Sequence, residues 1–508
     1  MAEPNNAGIF GYGHLSAYLT AEGRFLTVDH GPRAPAASRA DMYALPADRR
    51  AEEDGWPSVV DDLNAVGPLA PGVPGAVAGL WAAHRRAGRL PWQRLLAPAI
   101  ALADTGLEVT WSLLLEIVAR LDQIRSNTAL AATLMPAGRL PRARTPDLAG
   151  ERLDQRDLAG VLRRIAVEGP DALYHGSIAE AVARELGNRG GILTAADLAT
   201  YAPKVQNEAP GDYRGVQYVT AADPVGYETL SLLATFALSD YAPDGAEHCH
   251  LLAEAMGHAF VDGASYASDP DFSDNPVDRL GSADFAARRA GSIALDRAAP
   301  RPIVPDAPWV SPGSAPVRPS VGGLHGTTQV VTADADGNMV SLITTIGADF
   351  GAVVAVPDTG IVLNNAMVNY DPRPGRGNSI APGKMPFFAV PAIVATRDGR
   401  AAFAAAGSGG YPILSGVVST MVGVIDHRLG VQAAIDCPRV FSQGNHTFVD
   451  ARISSTARDR LERMGHTLVV QEVTPGELPF SRVGAIVADA GRLHVGAGPA
   501  WNTAVGAL

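Results

Sequence analysis

Cysteine is almost missing from this chain. Cys249 and Cys437 are its only two among 508 residues, so no disulfide framework holds the fold, and the usage fits a reducing compartment. Charge is sparse too, at 19% of residues, and basic charge is in deficit, with a formal net charge of −12. That balance sets nucleic acid aside as a partner. No apolar run is long enough to cross a bilayer, so no membrane partner is expected. The first twenty residues lack the basic, apolar, small-residue layout of a secretory signal, which makes a cytoplasmic location the expectation. His248-Cys249-His250 lacks the spacing of a zinc motif and has no second ligand pair, so neither a metal nor a cofactor is called for. Repeats and low-complexity tracts are absent as well. The length suits two to three domain-sized units or one large unit of mixed helix and sheet.

What is present centres on one stretch, His325-Gly326-Thr327-Thr328-Gln329-Val330-Val331-Thr332, followed by Asp336-Gly337-Asn338 and Met339 to Thr345. The β-branched run predicts a strand, Asp-Gly-Asn a tight turn, and Met339 to Thr345 the returning strand. A threonine hydroxyl is a weak nucleophile unless a base lies beside it. Making the threonine an N-terminus solves this, because its own α-amine then serves as the base. Such an amine has a reference pKa of about 7.7–8.0, so much of it is unprotonated near neutrality. Freeing it requires a cut before the threonine, and a preceding glycine lets the backbone bend for that step. Gly326-Thr327 meets both needs, although Gly-Thr-Thr is also an ordinary way for a loop to become a strand.

Further short blocks follow at compact spacing: Thr344-Thr345, Phe350-Gly351, Gly360 to Asn365, Pro382-Gly383-Lys384 and Gly407-Ser408-Gly409-Gly410. Upstream lie Arg33 to Ala37, Val73 to Leu80, Leu95 to Ile100, Glu254-Ala255-Met256 and Asp269 to Phe272. In this order, over nearly the whole chain, they resemble the γ-glutamyltransferase family of N-terminal-nucleophile hydrolases. The resemblance implies an α+β fold, a four-layer αββα sandwich formed jointly by two chains cut from one precursor. Residues 1–326 would be the large chain and 327–508 the small chain, with processing between Gly326 and Thr327. It implies Thr327 as nucleophile and Thr345 as its hydroxyl partner, with the backbone N–H groups of Gly409 and Gly410 as the oxyanion hole. It also implies a small-molecule substrate and leaves homo-oligomerisation open. Ser408 is disfavoured as a nucleophile because Ala406 breaks the G-x-S-x-G pattern. The family's leading helical segment is absent here, so the natural start is expected further upstream.

The sequence departs from the family where the family grips a glutamyl group. Gly31 stands where an arginine would hold the α-carboxylate, with Arg33 two positions on as the candidate substitute. Gly347, Ala366 and Asn369 replace an Asn, a Gln and an Asp, and Phe387-Phe388 approximately replaces a Ser-Ser pair. A buried ammonium needs a carboxylate partner, and Asn369 offers none. The machinery for attack is intact while the clamp is largely gone. Three readings follow. The first is a self-processed hydrolase with a non-glutamyl substrate, in the manner of the cephalosporin acylases or of the family's C–C hydrolases of alkylproline biosynthesis; the lost clamp fits the latter best, because there the attacked carbonyl is a keto-acid carbon, not an amide. The second is a true glutathione hydrolase or transpeptidase using Arg33 and Asn369. The third is an uncleaved, non-catalytic binding protein.

Elsewhere, helical spacing predicts helices over 74–90, 92–105, 111–121, 157–167, 177–186, 248–266, 431–436 and 458–464. Strands are predicted over 24–29, 213–220, 468–473, 482–487 and 492–495. Residues 298–321, rich in proline, predict an exposed linker ahead of Thr327.

Overall fold

A computed structural model describes residues 3–46, 56–221, 223–273, 277–306, 325–387, 389–474, 479–498 and 503–506. The strands that position the site are, in chain order, β1 (Tyr12–Leu19), β2 (Arg24–His30), β3 (Lys204–Gln206), β4 (Gly211–Tyr213), β5 (Val216–Thr220), β6 (His325–Ala333), β7 (Met339–Ala348), β8 (Ile393–Arg397), β9 (Arg400–Ser408), β10 (Arg482–Asp489) and β11 (Arg492–Ala497). One sheet runs β3-β2-β1-β7-β6 and the other β11-β10-β9-β8-β5-β4.

Strand alternation explains how the sheets meet. Along β7, Met339, Ser341, Ile343 and Thr345 are buried toward the second sheet, while Val340, Leu342 and Thr344 are half-buried on the other face. Tyr18, Phe25, Val219, Met339, Val394, Ala404 and Ile486 form an apolar layer between the sheets. Small residues on β9 allow close approach, and polar bonds fix the alignment: Ser341 Oγ donates to Ala405 O at 2.8 Å and Ala221 N–H to Ser16 Oγ at 3.1 Å. Helix α1 (Ala76–Ala87) covers the outer face of the first sheet, where Ala83 packs on Leu15, Ala17, Leu26 and Val28. Against α1 lie α2 (Trp92–Thr105) and α3 (Arg156–Glu168), which pack on each other. The second sheet is covered by α4 (Pro224–Leu233), α5 (Ala246–Tyr266), α6 (Ile413–Ile425) and α7 (Val431–Asp436). The result is helix, sheet, sheet, helix, the expected αββα layering.

Two expectations are corrected. Residues 213–220 are not one strand but the hairpin β4–β5. Arg214 and Gly215 both take positive φ, 54° and 76°, in a two-residue turn that pairs Tyr213 with Val216. The first part of the expected linker is tied down at buried points instead of running free, although Pro300, Pro302 and Val304 are exposed. Ala298 and Ile303 are buried, Ala298 N–H donates to Met464 O at 2.7 Å, and Ile303 N–H donates to Gly444 O at 2.8 Å. The buried Glu254 carboxylate draws this segment in. It accepts from Ala299 N–H at 3.1 Å and ion-pairs with Arg301. The rest of that call, 307–321, lies outside the described residues.

Candidate active site

The Gly326-Thr327 junction lies inside a paired strand, two residues past the start of β6. Gly326 stands opposite Gly347 and Thr328 opposite Thr344, so Thr345 and Ile346 together face Thr327 across a bulge. The bulge brings two buried hydroxyls to one carbonyl. Thr327 Oγ1 is 2.8 Å from Gly326 O and 3.4 Å from Thr345 Oγ1. Thr345 Oγ1 donates to the same Gly326 O and accepts from Gly347 N–H at 2.8 Å. Gly326 has no room for a side chain, because a Cβ there would sit 2.8 Å from Asn6 Oδ1 and 2.9 Å from Asn5 O. The segment that crowds it is fixed by Ile346 N–H donating to Asn6 O and Phe350 N–H to Asn5 O.

Arg482 joins the two sheets at this point. Its Nε donates to Ser408 Oγ at 2.9 Å and its Nη2 to Thr327 O at 3.3 Å, while Glu3 lies 3.8 Å from its Nη1. Glu3 also accepts from Thr328 Oγ1 at 2.5 Å. Gly409 and Gly410 follow directly on Ser408 with φ of 122° and 70°, and Gly410 O accepts from Ile413 N–H at the start of α6. The glycine pair is thus the next step along the chain from the residue that shares a guanidinium with Thr327. Nearby, burial and then the adjacent Glu116 carboxyl hold Asp349 well above the usual carboxylate range, and Asn5 Nδ2 donates to it at 3.4 Å.

Tyr12 of β1 lies directly opposite Thr345, so the two side chains share a face. Asn369 Nδ2 donates to Tyr12 Oη at 2.9 Å and to Ala366 O at 3.1 Å. Burial drives the Tyr12 phenol far above its ordinary pKa, and the neighbouring Tyr411 phenol pushes it the same way. Burial also pushes Tyr411, next to Gly410, up to about 12 against the opposing influence of Trp56. Its ring stacks edge-on against Phe260 at 5.1 Å between centroids.

The other candidates fall around this centre unevenly. Arg33 Nη1 donates to Gly383 O at 3.0 Å, and the Arg33 backbone bridges to Val73. Phe387 is buried in the helix-side core, where a Cβ on Gly263 would meet its ring at 3.4 Å. Phe388 lies outside the described residues. Tyr12, Arg482, Glu3 and Asn365 were not singled out from sequence. Tyr12 and Arg482 become visible only through strand register, for which the residues around Tyr12 gave no signal beyond a glycine- and aromatic-rich run, while Glu3 and Asn365 reach the site from outside the strands.

Among the described residues one group has metal-ligand character, His250, Glu254 and His466. Its ligand atoms are already engaged. His250 Nε2 is bonded to Ala294 O at 2.7 Å, His250 Nδ1 to His466 Nε2 at 2.7 Å, and His466 Nδ1 to Thr447 Oγ1 at 2.9 Å. Arg301 provides the cation for Glu254. Burial pushes His466 down to about 4, which keeps that ring neutral near pH 7. The cluster reads as a structural network rather than a metal site.

Comparison with known proteins places this geometry. The model of the gamma-glutamyltranspeptidase family matches residues 1–507. The chain is 35% identical over 474 residues to the Acylase ACY 1 proenzyme of Pseudomonas sp. (strain SE83), covering 92% of this chain and 81% of that one. It is 31% identical over 490 residues to the Glutathione hydrolase proenzyme of Bacillus subtilis (strain 168), covering 94% and 81%. Among solved structures, cephalosporin acylase from Bacillus halodurans superposes with a TM-score of 0.82 at 27% identity over 99% of this chain and 89% of that one. The structure of LmbA2991T421A shares the fold, with a TM-score of 0.79 at 24% identity over 98% and 90%.

Proposed function

The chain belongs to the gamma-glutamyltranspeptidase family, and on that premise we propose that it is a self-cleaving threonine-nucleophile acylase whose acyl group is not glutamyl. The observation that carries this reading is the Gly326 carbonyl oxygen held by the hydroxyls of Thr327 and Thr345. In the processing step, Thr327 Oγ1 attacks the Gly326 carbonyl carbon while the Thr345 hydroxyl stabilises the developing oxyanion. Collapse moves the acyl group from the Thr327 nitrogen to its oxygen as an ester. Water hydrolyses the ester, leaving a carboxylate on Gly326 and a free α-amine on Thr327. The chain becomes a large piece, residues 1–326, and a small piece, residues 327–508. The relatives named as proenzymes support this order of events.

In the mature enzyme the Thr327 amine takes the hydroxyl proton as the oxygen attacks an incoming acyl carbonyl. The Gly409 and Gly410 amides receive the oxyanion. The resulting ammonium protonates the leaving group, and water releases the acid. Arg482 holds the nucleophile's own carbonyl and so fixes where its oxygen lies.

The acyl side departs from a glutamyl site. Arg33 is turned to Gly383 O, and both amide hydrogens of Asn369 are used, by Tyr12 and Ala366. That pattern supports an acyl group without an amino-acid head. The loss of the amino-acid clamp also fits a second version, attack on a ketone with loss of a carbon leaving group from a keto acid. Product analysis separates the two, since only the first releases an amine.

The test is Thr327→Ala. Wild-type protein is expected to give two bands on a denaturing gel, with a new N-terminus reading Thr327-Thr328-Gln329, and the variant one full-length band. Two bands in the variant, or one band in both proteins, overturns the reading; one band in both favours a non-catalytic binding protein. Rapid turnover of γ-glutamyl-p-nitroanilide would return the enzyme to the glutamyl members of its family.

A further inference from the structure

Position 347 cannot carry a side chain. Its φ is +95°, and a Cβ there would lie 1.9 Å from Asn365 Oδ1 and 3.3 Å from Tyr12 Oη. The space beside Thr345 is therefore filled by neighbours, and Tyr12 is the largest of them. Asn365 is not free to turn away, because its Oδ1 accepts from Ala348 N–H at 3.0 Å and its Nδ2 donates to Ala65 O at 3.0 Å. An amide NH2 has two hydrogens to donate, and Asn369 spends one on Tyr12 and one on Ala366. Beside the Tyr12 hydroxyl stand the Asn369 amide, which bonds it, and the Tyr411 phenol. Both are neutral. An ammonium or carboxylate seated against Tyr12 and Asn369 would find no opposite charge on either side chain, and a buried charge without a partner is disfavoured.

We propose that Tyr12 is a specificity-determining residue: its phenol, locked to Asn369 beside Thr345, closes the acyl side of the nucleophile to α-amino-acid acyl groups and selects an uncharged acyl chain. This rests on Thr327 being the nucleophile. The hydroxyl of Tyr12 holds Asn369 turned away from the reacting carbonyl, and the ring occupies the volume that substituents near that carbonyl would need. Removing the ring opens the volume, and removing only the hydroxyl releases one Asn369 N–H to meet a carboxylate.

The experiment compares butyryl-p-nitroanilide with γ-glutamyl-p-nitroanilide on self-cleaved protein. It reads kcat and KM separately, together with the acyl adduct on the fragment that begins at Thr327 by intact mass. Wild type is expected to prefer the butyryl probe. Tyr12→Gly should lower the butyryl-to-glutamyl ratio of kcat/KM at least tenfold, mainly through a lower KM for the glutamyl probe. Tyr12→Phe should lower it about threefold. Self-cleavage in each variant, with an adduct on the Thr327 fragment, shows that the nucleophile survives and isolates the specificity claim. A ratio unchanged or raised in either cleaved variant overturns the proposal. So does a wild type that forms its adduct preferentially with the glutamyl probe, or with neither probe. A Tyr12→Phe precursor that fails to cleave overturns it as well, because Tyr12 would then belong to the processing machinery. If self-cleavage persists in Thr327→Ala, the nucleophile assignment itself falls, and that result is distinct from all of these.

Discussion

Replacing Thr345 by valine tests the processing geometry most directly. Valine keeps the shape of threonine and deletes one oxygen. Its two short contacts go with it, the donor to Gly326 O and the acceptor for Gly347 N–H, together with the 3.4 Å approaches to Thr327 Oγ1 and Gly347 O. The first is an oxyanion-type donor in a buried, water-poor site, and its loss is expected to cost about 2.7–4 kcal/mol of transition-state stabilisation, or about 10²–10³ in rate. The second leaves a buried backbone N–H unpaired, at about 1–3 kcal/mol of stability. The assay follows conversion of freshly purified precursor to two fragments by intact mass over hours to days, with a thermal melt run alongside. Thr345→Val should melt somewhat lower than wild type yet remain folded, and should cleave at least about a hundredfold more slowly. Thr345→Ser, which keeps the oxygen, should cleave within a few-fold of wild type. Cleavage of the valine variant at the wild-type rate refutes the idea that this hydroxyl polarises the Gly326 carbonyl.

Two further outcomes follow from buried charge. Burial raises the Asp223 carboxyl to about 7. A folded-state pKa above the unfolded value means that the group's contribution is present below about 3.8 and is lost as pH rises through about 7, on the order of 4 kcal/mol in all. Asp223→Asn should therefore gain stability over wild type as pH rises from 4 to 8 in urea titrations, and an unchanged difference across that range contradicts the assignment. Arg301→Gln removes the cation from Glu254, whose side chain is fully buried. It should cost about 3–5 kcal/mol by urea denaturation, and a loss under about 1 kcal/mol would mean that water already reaches the pair.

The layering was expected from the family resemblance, whereas individual elements were legible because their signals are local. Asp336-Gly337-Asn338 makes a turn wherever it falls between strand-forming runs, and Gly337 takes a φ of 84° there. Trp92–Thr105 and Val431–Asp436 were bounded to the residue by apolar spacing. The 213–220 error came from weighing strand propensity above the Arg214-Gly215 turn. The prolines Pro300 and Pro302 are exposed as their composition implied; what the linker reading missed is the anchoring of Arg301 by a distant Glu254, 47 residues earlier. At the site, Thr327 and Thr345 were readable as a hairpin pair. Tyr12 and Arg482 were not, since each reaches the centre by pairing register, Tyr12 opposite Thr345 and Arg482 opposite Ser408. Register is set by the whole sheet, and no window of sequence around either residue carries it.

Both sheets draw strands from either side of residue 327: β1, β2 and β3 share a sheet with β6 and β7 through the β1–β7 pairing, and β4 and β5 complete the sheet of β8 to β11. Scission at Gly326 would therefore release nothing, because the halves interleave like the fingers of clasped hands. It would change the reverse journey instead. An intact precursor that unravels keeps its missing partner on the same tether, whereas a nicked molecule must meet it again by diffusion, at whatever dilution prevails. Recovery of the native fold after urea, read by near-UV circular dichroism, should then depend on protein concentration for the mature form and be indifferent to it for the uncut Thr327→Ala precursor.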